Sequence, residues 1–171
     1  MVMLGFYGID LFSRQQFLTA DKKSKVQNEA MFVLSHMSKP LLKAIGDFDN
    51  PAVSITSSGV NNAQIVATID SNLDGVRNLT TDANITYCFN NTACNAAAKA
   101  YTMVFVPGNG SPDEIIARHV LSFNAVLNGN FMNLTIVTCW QPSGTPLACG
   151  TLDNPAVNLT NKIRMPSVSA Q

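Results

Sequence analysis

The chain has 171 residues, enough for one domain with a real core, and its eleven basic and eleven acidic side chains cancel. Only 13% of residues are charged, so no field exists to attract nucleic acid or anionic lipid, and no nucleic-acid partner is expected. Asn, Ser, Thr, Ala and Val are plentiful while Lys and Glu are scarce. That balance points to a secreted or surface-assembled β-rich protein and away from a cytosolic enzyme.

The chain opens MVMLGFYGIDLF, apolar to Ile9 and then interrupted by Asp10, with Arg14, Gln15 and Gln16 soon after. A bilayer span needs about 20 apolar residues, and a signal peptide needs a basic start and a small-residue cleavage site. The opening has neither. From Phe6 to Ile45 helix formers dominate, and Val26, Ala30, Val33, Met37, Leu41 and Ala44 recur in steps of three and four, with Leu34 and Ile45 widening the stripe. N-terminal to most of that stripe, around Lys22, Lys23, Lys25, Asn28 and Glu29, the pattern is polar nearly all round. The spacing therefore predicts a helix in two halves, the second packed on a domain and the first leaving it. Forty helical residues span about 60 Å, longer than so small a domain is wide. Pro40 removes a hydrogen bond and predicts a bend or break near Lys39, and Gly46 is the expected terminator. Residues 1–46 read as a stalk helix and 47–171 as a β-rich head that forms a single domain with the helix's second half.

After Gly46 short β-branched runs alternate with Asn, Pro, Ser and Gly: Ala52 to Thr56, Gln64 to Asp70, NITYCF and AYTMVFVPG. IIARHVLSFNAVLNGNFMNLTIVTCW is the strongest local signal. Asn128-Gly129 suits a two-residue type I′ turn. Pairing outward from it sets Leu127 opposite Asn130, Ala125 opposite Met132, Phe123 opposite Leu134 and Leu121 opposite Ile136. One face is then apolar and the other largely polar, as in an antiparallel sheet packed on a helix. A last strand runs from Ala156 to Met165. The expected fold class is α+β, a long N-terminal α-helix whose second half covers an antiparallel β-sheet.

The four cysteines form two local groups, Cys88 with Cys94 and Cys139 with Cys149. Three connectivities are possible, and the sequence-local one closes two short loops. Five and nine intervening residues do not match the closely spaced pairs of structural zinc sites, which leaves buried free thiols as the alternative to disulfides. Disulfides would place the folded domain in an oxidising space.

Motifs that could carry chemistry are weak. His36 and His119 have no certified carboxylate cluster nearby, Asp113 and Glu114 read as turn residues, and no G-x-S-x-G stretch is present. PGNGSP is a turn and not a phosphate cradle. Asp70 and Asp74 in TIDSNLDG are too few acids for an EF-hand; a plain β-turn is the main reading and a calcium site the minor one. N-x-S/T triplets at Asn78, Asn84, Asn90, Asn109, Asn133 and Asn158 are what an Asn- and Thr-rich β-protein produces anyway. No catalytic residue, cofactor or metal is expected.

The run FSRQQ, then KVQNEAMFVLSHMSK ending in AIG, resembles the stalk of type IV pilin-like proteins, most closely the minor pilins and pseudopilins of the PilW/GspJ class. Gln27, Asn28, Glu29, Ala30, Leu34, Met37 and Ser38 fill the places of that pattern. ITYCF, the long hairpin and the closing VNLTNKIRMPSV are similar to the family's sheet, so the resemblance spans nearly the whole chain. In the family the helix begins with about 20 to 25 apolar residues that hold the subunit in the inner membrane and later form the filament centre. The resemblance makes Met3, Leu4, Phe6, Ile9 and Phe12 the end of that apolar stalk, with the chain start inside the family's helix. Gly5-Phe6 followed by Asp10 echoes the processing site but is not read as one, because polar residues begin just after Asp10 where the family has an unbroken apolar helix. The implied role is a structural filament subunit of a type IV pilus-like or type II secretion-like system. Its partners would be other pilin or pseudopilin subunits and inner-membrane assembly machinery, with location in the inner membrane and periplasm before assembly and at the cell surface after it. The alternative is an independent extracellular adhesin-like or carbohydrate-binding module.

Overall fold

A computed structural model describes residues 2–47, 49–59, 62–78, 80–92, 94–97 and 99–165, with side chains described from residue 9 onward except at 57–59 and 62. Among the described residues one helix, α1 (Val2–Leu41), is followed by eight strands: β1 (Val53–Gly59), β2 (Asn62–Ile69), β3 (Ala83–Phe89), β4 (Met103–Val106), β5 (Glu114–Ala117), β6 (Val120–Asn128), β7 (Phe131–Cys139) and β8 (Ala156–Arg164). All the pairings are antiparallel, so the class is α+β.

The single sheet expected from the sequence is two. Strands β1-β2-β3-β4-β5 form one and β6-β7-β8 the other. The break falls at Arg118 and His119, between β5 and β6. Two sheets can wrap the broad apolar face of α1, where Val26, Ala30, Val33, Leu34, Met37 and Leu41 are all buried. One core joins Ala30, Val33, Leu34, Met37 and Leu41 to Ile65, Tyr87 and Phe89 of the larger sheet and to Phe123, Met132, Leu134 and Ile136 of the smaller. Period-2 alternation delivers these inward, as with Ala63, Ile65 and Ala67 along β2.

The long hairpin keeps its expected faces but not its expected pairs. Asn128 pairs with Phe131, Leu127 with Met132, Ala125 with Leu134 and Phe123 with Ile136. Gly129 and Asn130 are therefore the turn, and Gly129 holds φ at 55° in the first central position, where a type II′ turn calls for glycine. Moving the turn by one residue shifts each partner by two, so the inward set survives. Leu121 does leave that set. The register shifts between Val120 and Ser122, and Val120 takes the buried place instead.

The helix end also differs from expectation. α1 runs through Lys39 and Pro40 and stops at Leu41. Leu42 N still donates to Ser38 O at 3.1 Å, after which Lys43 N to Pro40 O (2.8 Å) and Ala44 N to Leu41 O (3.3 Å) tighten the chain into i+3 turns. Proline so near the end sacrifices one bond and breaks nothing downstream. Gly46 is not the cap: it is buried, and a Cβ there would lie 2.3 Å from Ala52 N. Its role is close backbone approach.

Met37 is completely buried at the centre of the helix stripe. Met37→Ala is expected to lower unfolding stability by about 2–5 kcal/mol in urea denaturation; a loss under about 1 kcal/mol would mean that the stripe is not the core.

Candidate functional site

The helix leaves the head through a collar. At its innermost point Thr138 Oγ1, fully buried on β7, donates to Val26 O at 2.9 Å. Glu29 is held by two residues from the β5–β6 turn: its Oε2 lies 2.7 Å from His119 Nδ1, and its Oε1 accepts the Arg118 backbone N–H. The His119 ring stacks on Trp140, centroids 5.5 Å apart and planes 6° from parallel, and Lys25 Nζ sits 5.6 Å from the Trp140 ring. Beyond Trp140, the Cys139–Cys149 disulfide closes a loop pinned by Asn154, whose Nδ2 donates to Leu147 O at 2.7 Å while its Oδ1 accepts from Gln141 N at 2.7 Å. Just past that loop, Lys22 Nζ donates to Asp153 O at 3.1 Å and ties the helix to the segment beside Asn154.

Above the collar the helix is bare. From residue 9 to residue 18 every side chain is exposed, including Ile9 (66%), Leu11, Phe12 (64%), Phe17 (78%) and Leu18. Below it Val26, Ala30, Val33, Met37 and Leu41 each show 0% exposure. The side chains of Met3, Leu4 and Phe6 lie outside the described set, although their backbone is helical. Among the described residues no helix is long and apolar enough to cross a membrane.

The second disulfide, Cys88–Cys94, works on the outer face of the larger sheet. Cys88 points away from Tyr87 and Phe89, and the loop it closes covers Cys88 and Val104 in a small separate apolar cluster.

A second feature sits where Pro40 interrupts the helix ladder. Pro40 has no N–H for the carbonyl of His36, four residues back. Tyr87 Oη replaces it, donating to His36 O at 3.3 Å, and the same hydroxyl lies 3.0 Å from His36 Nδ1. With the tyrosine proton on the carbonyl, Nδ1 carries the imidazole proton, a tautomer assigned by this bonding. Burial pushes the Tyr87 phenol above its ordinary range. Burial also holds the His36 imidazole below 6.5, opposed by Glu114 and assisted by Lys39. Beside it Phe32, Ser35, His36, Lys39, Pro40 and Phe105 line a shallow hollow open to solvent.

In the 70–75 turn Gly75 N donates to Asp70 Oδ2 at 3.0 Å and Val76 N to Asp74 Oδ1 at 2.7 Å, while Asp70 Oδ1 is buried without a hydrogen-bond partner among the described residues. Asp113 accepts from Asn95, while Glu114 opens β5. Among the described residues no group of three His, Cys, Asp or Glu side chains could hold a metal ion. Sequence reasoning missed the collar, because Glu29, His119 and Trp140 are brought together only by the fold. It also missed the exposure of Phe17 and the hollow around Phe32. No protein-family model, curated protein or solved structure matches the chain.

Two outcomes follow from the His36–Tyr87 pair. Tyr87→Phe orphans the His36 carbonyl and is expected to cost about 1–3 kcal/mol. In a Pro40→Ala background the restored N–H fills that place, so the same substitution should cost about 1 kcal/mol less in a double-mutant cycle; strict additivity would contradict the account. Because the folded His36 pKa is depressed, the unfolded chain binds more protons just below pH 6.5. Its contribution is complete above that pH and is lost as pH falls through the folded value. His36→Gln should flatten this part of the stability–pH curve, and parallel curves for variant and parent would refute it.

Proposed function

We propose that the chain is a structural, non-enzymatic subunit of a type IV pilus-like or type II secretion-like filament, a minor pilin or pseudopilin that acts by assembly. The observation that carries this reading is the division of α1: one half is locked into the head, and the other presents Ile9, Leu11, Phe12, Phe17 and Leu18 to solvent. Magnitudes indicate what the free half fits. Burying each such side chain stabilises by about 1.5–3 kcal/mol, so five give roughly 7–15 kcal/mol gross. Associating two molecules costs about 4–15 kcal/mol. A single neighbour therefore barely offsets the cost, and a bundle of several helices suits the segment better.

In this reading the partners are other pilin-like subunits and the inner-membrane machinery that adds them. The subunit waits at the inner membrane and periplasm and ends in a surface or extracellular filament, its disulfide-fastened head outward. The rival reading, an adhesin-like or carbohydrate-binding module, draws on the aromatic hollow around Phe32 and Phe105. It leaves the exposed apolar residues of α1 without a role.

Phe12→Asp tests the proposal, since Phe12 is exposed in the isolated chain. Unfolding stability should stay within about 0.5 kcal/mol of the parent. Recovery in filaments sheared from native cells should fall about tenfold or more, equivalent to ~1.4 kcal/mol of binding free energy; undiminished recovery would refute the assembly role.

A further inference from the structure

The hollow beside His36 has the form of a helix-docking site. Phe32, Ser35, His36 and Lys39 line it, and these are positions i, i+3, i+4 and i+7 of one helix, the four-residue hole that receives a side chain from a facing helix. Phe105 closes one wall, its ring 4.7 Å from that of His36. Phe32 is half exposed, and Lys39 is exposed and outside every ion pair among the described residues.

The free half of α1 carries a matching protrusion. Phe17 is 78% exposed, with Arg14 and Asp21 one turn to either side. Arg14, Phe17 and Asp21 precede Phe32, Ser35 and Lys39 by eighteen residues each, or five turns at about 3.6 residues per turn. Knob and hole therefore lie on one face of the helix, turned away from the buried stripe of Val26, Met37 and Leu41, with Phe105 of the head at the edge of the hole.

We propose that the chain binds a second copy of itself, Phe17 of one copy entering the hole formed by Phe32, Ser35, His36 and Lys39 of the next, with the two helices parallel and staggered by about 27 Å. The inference rests on the assembly reading and gives it a specific contact. Charge selects the direction. In the parallel arrangement Asp21 meets Lys39, and Arg14 lies over the Phe32 ring. Reversing one helix sets Arg14 against Lys39 instead. The pairs that Arg14 and Asp21 now make, with Asp10 and Lys25 at 3.0 Å each, are largely exposed and cost little to exchange. Each copy has a knob for one neighbour and a hole for another, so the contact is heterologous and open-ended.

Sedimentation velocity on the purified full chain tests the contact. The parent should self-associate with rising concentration, and Phe17→Asp should weaken this about tenfold or more. Asp21→Lys and Lys39→Asp each set like charges together and should weaken it alone, whereas their equimolar mixture restores opposite charges at every contact and should associate again. The proposal is overturned by a parent that stays monomeric, by Phe17→Asp associating like the parent, or by a mixture no stronger than its components. A monomeric parent that is nevertheless recovered in sheared filaments would sink this contact and leave the assembly reading standing; association through Phe17 with no chain in that fraction would do the reverse.

Discussion

Val26, Ala30, Val33, Met37 and Leu41 form a dry seam along one face of α1, and the rest of the architecture is arranged to keep it dry. A helix of forty residues is about 60 Å long, and the head covers only its second half. The seam fixes where the two sheets meet, because both must reach the same helix face. It also fixes the direction in which the uncovered half projects.

Polar clamps set the boundary between the halves. Thr138 on Val26 O, His119 and Arg118 on Glu29, and Lys22 on Asp153 O gather at the level where burial ends. Each is modest by itself. Together they hold the helix at its exit, so a load on the free half is passed to β7, the β5–β6 turn and the segment that follows the Cys139–Cys149 loop. In the assembly proposed above, that coupling would keep the head from swinging when neighbours hold the stalk.

The sequence made some of this legible and hid the rest for identifiable reasons. The helix stripe and the inward residues of β6 and β7 follow from periods of 3.6 and 2, which are local. Asn128-Gly129-Asn130 offers both Asn-Gly and Gly-Asn turns, and local pattern cannot choose between them. Pro40 reads as a breaker until Tyr87 is seen to satisfy the carbonyl it abandons. Gly46 reads as a cap, yet it is required by the chain passing at Ala52. The division into two sheets depends on which strands become neighbours, and the collar unites residues about ninety positions apart. The resemblance to pilin-like stalks takes its clearest motif from the helix, where the pattern is local.

The most direct measurement is hydrogen exchange, read by mass spectrometry, on the purified chain and on the filament fraction sheared from native cells. In the free chain the account predicts slow exchange from Val26 to Leu41 and rapid exchange from Ile9 to Leu18, with the boundary at the collar. In the filament fraction the segment from Ile9 to Leu18 should become protected while the head is unchanged. Equal protection of that segment in both samples, or absence of the chain from the sheared fraction, would contradict assembly through the free half of the helix.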